Sequence, residues 1–191
     1  MLTELKARLA HLFGPHVRFD VPLAQYTSFR IGGPADVLVE PHSLEELQTL
    51  IRLVTEERGP FFLLGGGTNV LISDNGIRGV VIRLGRRFDY TEWQEQPGSA
   101  LVTVGAGRSL GRFVREAARK EYSGVEFAEG IPGTVGGGLL MNAGAFGGEL
   151  SHVVQAVTGV NVAGQRVRLP GADLGFAYRK TALPEQVIVG E

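Results

Sequence analysis

The chain has 191 residues, with 19 Lys and Arg against 20 Asp and Glu for a net charge of −1, and no cysteine. That length builds one domain or two small, intimately packed ones, and the balanced charge, with no five-residue run of one sign, argues against electrostatic capture of nucleic acid or an anionic membrane. Without cysteine there are no disulfides, thiolate metal sites or cysteine nucleophiles, and His11, His16, His42 and His152 lack ligand spacing, so no metal site is expected.

In chain order, Leu2, Leu5, Leu9, Leu12 and Phe13 recur at three- and four-residue spacing before Gly14-Pro15, which predicts an amphipathic helix. No stretch reaches the roughly 18 apolar residues of a membrane span, and no signal peptide is recognisable, so the expected compartment is the cytoplasm. Ser43 and Glu46 form a capping-box pattern ahead of Leu47, Leu50, Ile51 and Val54, predicting a second helix that ends near Gly59-Pro60. Strand-like runs follow at Phe61–Leu64, Val70–Ile72, Gly79–Leu84 and Leu101–Val104, with Gln94–Gly98 as a flexible tip. A third helix starts at Ser109 and carries Leu110, Phe113, Val114, Ala117 and Ala118 as its apolar stripe. Val153–Val162 and Arg166–Leu169 flank Ala163-Gly164-Gln165, a hairpin signal, and Gln186–Glu191 is a strand-like run that stops without a turn, as expected of a piece of something longer. The mixture is α+β.

There are 28 glycines, about twice the usual share of ~7%, and they cluster beside Val- and Leu-rich runs, so they serve ordered loops. Three clusters stand out: Gly65-Gly66-Gly67-Thr68-Asn69, Gly105-Ala106-Gly107-Arg108, and Gly130-Ile131-Pro132-Gly133-Thr134. Successive glycines let backbone N–H groups converge on an anion, so phosphate binding is the leading reading of the first, with a plain hairpin or bulge as the alternative. None contains the lysine of a Walker loop, and Val70 and Leu110 stand where a Rossmann fingerprint needs its third glycine. A nucleotide site here would therefore have another architecture. The third cluster reads as a tight turn leading into a short, closely packed helix from Val135.

Tyr26-Thr27-Ser28-Phe29-Arg30-Ile31-Gly32-Gly33-Pro34-Ala35-Asp36, Leu64–Ile72, Gly130–Thr134 with Met141-Asn142-Ala143-Gly144-Ala145, and Tyr178-Arg179 together resemble the UDP-N-acetylenolpyruvoylglucosamine reductase (MurB) family over residues 26–191. The resemblance implies a vanillyl-alcohol-oxidase/PCMH-type FAD-binding fold of two α+β subdomains, residues 1–84 and 85–191, with a third, substrate-closing subdomain expected after residue 191. It implies non-covalent FAD, NADPH as hydride donor, and reduction of UDP-N-acetylglucosamine enolpyruvate to UDP-N-acetylmuramate for peptidoglycan, by a monomer. Gly65, Gly66, Gly67, Thr68, Asn69 and Val70 match the pyrophosphate loop. Gly130, Ile131, Pro132, Gly133 and Thr134 match the second wall of the cofactor channel, with Gly137, Asn142 and Ala143 near it and Val189 on a strand beside it. Arg179 matches the catalytic arginine, and Tyr178 the tyrosine on the substrate side.

A fixed guanidinium suits that role, because hydride addition to an enolpyruvyl ether drives negative charge into the carboxylate, and a two-pronged cation stabilises that charge more than the ground state. A surface arginine beside Lys180 is the alternative. The proton donor and late glutamate of the family have no match before Glu191, and neither Ser151 nor Glu149 lies in a matching context. A chain ending at Glu191 is expected to hold FAD weakly and not to turn over. Two other readings stay open: another flavin-dependent oxidase or dehydrogenase of the same fold, and a non-catalytic nucleotide-binding module.

Overall fold

The computed structural model describes residues 2–183 and 187–189; of the terminal strand-like run, Gln186, Gly190 and Glu191 lie outside the described residues. Helix α1 (Leu2–Phe13) buries Leu5, Leu9 and Phe13 and leaves Leu12 exposed, so the inward stripe is narrower than the sequence suggests. Gly14, at φ +49°, ends it. Strand β1 (Val17–Pro22) pairs antiparallel with β2 (Pro34–Val39), in a register that sets Val17 opposite Val39 and Pro22 opposite Pro34. Helix α2 (Leu44–Glu56) crosses over to β3 (Phe61–Leu64), and β4 (Ile77–Arg83) inserts between β2 and β3, parallel to both. The resulting order is β1-β2-β4-β3.

The α2 cap differs from the expected box in one bond. Ser43 Oγ accepts from the Glu46 N–H at 3.2 Å, but the Glu46 carboxylate reaches one residue further back, to the His42 N–H at 2.7 Å. Both faces of the central strands are covered, which is why Val37-Leu38-Val39 in β2 and Val80-Val81-Ile82 in β4 read as continuous apolar runs. Val37, Val39, Val80 and Ile82 pack on α1 and α2 with Leu47, Leu50, Ile51 and Val54. Ala35, Leu38 and Val81 pack on the opposite side with Val21, Leu23, Leu64 and Ile72. Each fully buried Leu, Ile or Val contributes roughly 1.5–3 kcal/mol, so these two layers fix the sheet on which the first glycine loop is mounted.

Val70–Ile72 is not a strand. Ile72 is anchored in the core while Leu71 is exposed, and the segment bends at Ser73, whose carbonyl accepts from both Gly33 and Gly76 N–H. An extended loop pinned by one side chain has the same apolar signature as a short strand, so letters alone could not separate them.

The second half begins with the hairpin β5 (Thr91–Gln96) and β6 (Ser99–Val104). Its tip is only Pro97-Gly98, because Gln94, Glu95 and Gln96 remain paired, in contrast to the wider tip expected at Gln94–Gly98. Helix α3 (Leu110–Arg119) packs against it: Glu116 accepts hydrogen bonds from Thr91 Oγ1 at 2.7 Å, Trp93 Nε1 at 2.8 Å and the Arg108 guanidinium at 2.5 Å. Helix α4 (Val135–Leu140) follows the third glycine cluster, with Thr134 as its N-cap. Then come the hairpin β7 (Gly144–Ala145) and β8 (Gly148–Glu149), the hairpin β9 (Ala156–Asn161) and β10 (Arg166–Pro170), the hairpin β11 (Phe176–Ala177) and β12 (Lys180–Thr181), and β13 (Val187–Val189), antiparallel to β9. Val153 and Val154 fall outside β9, since Leu150–His152 forms a 3-10 turn that ends at Val153.

The halves share packing. Val160 of β9 joins the helix-side core of the first sheet, and Gln48 Nε2 of α2 donates to the Gly164 carbonyl at 3.0 Å. Among the described residues no helix is long and apolar enough to cross a membrane.

Candidate functional site

Two glycine clusters distant in sequence meet at the seam. Gly65–Asn69 leaves the end of β3 and lies directly on Gly133-Thr134: a Cβ on Gly66 would stand 3.1 Å from Gly133 Cα, and one on Gly65 3.0 Å from Thr134 Oγ1. Thr68 Oγ1 donates to the Pro132 carbonyl at 3.2 Å, joining the loops covalently remote from one another. The third cluster supports the second: Leu110 N–H donates to Gly133 O, Val135 N–H to Arg108 O and Gly136 N–H to Ala106 O. Gly67 adopts φ +66°, and its carbonyl accepts from both the N–H and the Oγ of Ser28, at 2.9 and 3.1 Å. Thr27 stiffens that clamp, accepting from Ile31 N–H and donating to Ile31 O.

Among the described residues, the N–H groups of Gly66, Gly67, Thr68 and Asn69 on one loop, and of Gly133 and Thr134 on the other, have no protein acceptor. Gly67 is buried, and buried N–H groups are rarely left unpaired. These are free backbone donors on two touching loops, half of them on glycines without a Cβ, a composition that suits a diphosphate.

A separate cleft of about 500 Å³ lies between the β7–β8 and β11–β12 hairpins and is lined by Asn142, Gly148, Glu149, His152, Tyr178 and Arg179, among others. Phe146 and Gly147 form the first tip, both at positive φ, the geometry of a two-residue type I′ turn. Tyr178 and Arg179 form the second tip, with Arg179 at φ +55° and its guanidinium 5.8 Å from the centre of the Tyr178 ring. Both side chains are exposed, and Arg179 has no carboxylate partner among the described residues, so its charge faces the cleft mouth unneutralised. Across the cleft, the hydroxyl of Ser151 donates to Glu149. That bond, then one from Asn142 and the proximity of His152, hold the Glu149 carboxyl below its ordinary range despite some burial.

The family described as FAD binding domain matches residues 35–170, which is most of the chain. The chain belongs to the FAD-binding domain family. It is 41% identical over 186 residues to the UDP-N-acetylenolpyruvoylglucosamine reductase of Syntrophus aciditrophicus, covering 97% of this chain and 59% of that one. The crystal structure of the MurB reductase from Thermus caldophilus superposes with a TM-score of 0.76 at 36% identity, covering 91% of this chain and 60% of that one. At 16% identity, the 4-ethylphenol oxidase of Gulosibacter chungangensis shares the fold alone, with a TM-score of 0.67 over 98% of this chain and 41% of that one. The FAD-binding domain thus has the α+β vanillyl-alcohol-oxidase/PCMH-type fold, and it spans little more than half the length of the curated relatives it matches.

Within this FAD-binding domain, the expected site residues fall into two groups. Of the expected loop residues, Gly65, Gly66 and Thr68 meet Pro132, Gly133 and Thr134 at the seam, Gly67 packs instead on Tyr26 and Thr27, and Gly130 has nothing within 4 Å of where an added Cβ would stand, while Asn142, Tyr178 and Arg179 meet at the cleft. No residue of either glycine loop lines the cleft. Val70 packs partly into the sheet core, Ala143 is buried in the second core beside Leu110 and Leu139, and the Gly137 N–H is taken by Thr134 Oγ1 at 3.3 Å. Val189 is paired with Gly159 in β13. The sequence alone gives Ser28, Glu149 and His152 no role. Ser28 lies inside the block Tyr26–Asp36, and only its long-range pairing with Gly67 shows what it holds; Glu149, on β8, and His152, in the 3-10 turn that follows, both line the cleft.

Proposed function

We propose that the chain is the FAD-holding portion of an NADPH-dependent reductase that converts UDP-N-acetylglucosamine enolpyruvate to UDP-N-acetylmuramate, a step in peptidoglycan precursor synthesis. The observation that carries the reading is the guanidinium of Arg179, without a carboxylate partner among the described residues, held on a two-residue tip above a cleft in a domain whose touching glycine loops present free backbone donors. The likeness to reductases of that name over nearly the whole chain supports the substrate class. The residues fit FAD, with Gly65–Asn69 and Gly130–Thr134 holding its diphosphate through backbone N–H groups. When bound, FAD supplies hydride transfer from NADPH to the substrate.

Arg179 orients the enolpyruvyl carboxylate through a bidentate contact and stabilises the charge that develops on it, and Tyr178 packs beside that group on the substrate side. Because the tip stands in water, Arg179 gains its full effect only when the bound substrate and whatever closes over it displace that water. The reading places the first subdomain at residues 1–84 and the second at 85–191, and takes the protein as a cytoplasmic monomer.

An absorption spectrum of purified protein before and after anaerobic NADPH tests the cofactor half: a yellow protein that bleaches supports it, and a protein that cannot be loaded with FAD opposes it. In the full-length protein, replacing Arg179 with Ala or Lys should then suppress reoxidation by the enolpyruvyl substrate at least tenfold and leave bleaching by NADPH intact. Equal loss of both steps would make Arg179 structural.

A further inference from the structure

The end of α4 is closed by a Schellman motif. Asn142 N–H donates to Leu139 O at 3.0 Å, Ala143 N–H donates to Gly138 O at 2.8 Å, and Asn142 occupies the left-handed position at φ +40°. Glycine takes that position without steric cost, as twelve glycines do at other positive-φ positions among the described residues. Asn142 is also 3% exposed, so its amide is a buried polar group that must be satisfied inside the protein.

It is satisfied by both walls of the cleft. Asn142 Nδ2 donates to the Ala177 carbonyl in β11 at 3.3 Å, immediately before Tyr178-Arg179. Asn142 Oδ1 accepts from the Ser151 N–H at 3.0 Å, in the turn that follows β8. The second strand of the Arg179 hairpin is held by the same helix end, through buried Thr181, whose hydroxyl donates to the Leu139 carbonyl. Each strand of a hairpin with only two ladder pairs is therefore fastened to one turn of α4.

We propose that Asn142 is a positioning residue: its side-chain amide ties the β7–β8 and β11–β12 hairpins to the end of α4 and thereby fixes where the Arg179 guanidinium stands over the cleft. This rests on the role given to Arg179 above, and it gives Asn142 a task other than contact with the cofactor. A flexible two-residue tip places its cation in many positions, and a charge that must meet a carboxylate in one geometry loses effect when its base moves by about an ångström.

Asn142→Gly removes the amide and keeps the backbone geometry that the Schellman motif requires, so the variant folds. Hydrogen exchange is followed by mass spectrometry on FAD-loaded full-length protein, wild type and variant, with reduction by NADPH and reoxidation by UDP-N-acetylglucosamine enolpyruvate measured separately. The expected result is exchange at least tenfold faster in residues 175–182 and 148–154, unchanged exchange in α2 and unchanged flavin absorption, together with reoxidation slowed about tenfold and reduction unaffected. Exchange raised uniformly along the chain would make Asn142 a general stabiliser, loss of flavin would make it a cofactor ligand, and unchanged exchange in both hairpins would mean no tie exists; each overturns the proposal. Wild-type protein that is bleached by NADPH yet never reoxidised by the substrate would count against the proposed reaction, while the exchange comparison would still decide whether Asn142 holds the tip.

Discussion

Gly67→Ala tests whether the first glycine loop is held by its backbone. A methyl at Gly67 would stand 1.8 Å from the Tyr26 carbonyl oxygen and 2.8 Å from its carbon, far inside contact distance, and Gly67 sits at φ +66°. Neither neighbour is a side chain that can swing away, so the loop must shift by more than about 1 Å and give up both hydrogen bonds from Ser28 to Gly67 O. The left-handed backbone costs an alanine about 1–2 kcal/mol, and the two lost bonds cost about 1 kcal/mol each, for a total of about 3–4 kcal/mol. Gly98→Ala is the control, because Gly98 has φ +76° but nothing within 4 Å of the added methyl, leaving only the backbone cost of about 1–2 kcal/mol. Urea denaturation followed by the fluorescence of Trp93, the sole tryptophan, reads the difference, expected near 2 kcal/mol. FAD titration of the folded variants reads the loop itself, and Gly67→Ala should weaken binding at least tenfold, or about 1.4 kcal/mol, with Gly98→Ala unchanged. The reasoning is refuted if Gly67→Ala is no more destabilising than Gly98→Ala, or if it binds FAD like wild type.

Two further outcomes follow from groups outside the site. Burial tends to raise the Glu116 carboxyl, but the hydrogen bonds from Thr91, Trp93 and Arg108 and the charge of Arg108 prevail and hold it below its ordinary value. The unfolded chain therefore binds that proton more readily, and the stabilisation is present above the ordinary glutamate value of about 4.3 and lost as pH falls below it. Glu116→Gln should lower stability at pH 7 by about 1–2 kcal/mol and make the acid decline shallower, as read by denaturation at a series of pH values; an unchanged decline would show that Glu116 is not coupled to folding. Asp36 is buried in β2, accepts from the Gly79 N–H at 2.9 Å and pairs with Arg78 at 2.6 Å. Asp36→Ala leaves that N–H without its acceptor and should cost about 2–3 kcal/mol, while Arg78→Ala, whose side chain is mostly exposed, should cost under about 1 kcal/mol; comparable losses would disprove the asymmetry.

Much of the fold was legible locally. α1 and α2 follow from apolar spacing and their stop signals, β3 matches Phe61–Leu64, and the short helix after Gly130–Thr134 begins at its Thr134 cap. Local signals failed where a segment's partner is remote: Val70–Ile72 has strand letters but no strand to pair with, and Gln94–Gln96 has loop letters but pairs with Ser99–Leu101.

The sequence by itself determined which backbone segments could carry backbone-only recognition, because the freedom of Gly65–Gly67 and Gly130–Gly133 is a covalent property of residues without a Cβ. It likewise supplied Arg179 as a permanent cation with bidentate geometry. Tertiary structure alone decided that the two glycine loops meet, that Ser28 clamps Gly67, and that Asn142 joins the two hairpins of a cleft those loops do not line. Those contacts span from 9 to 69 residues of chain, and hydrogen bonds and packing across such separations depend on where the cores place each element, which residue-by-residue propensity does not encode.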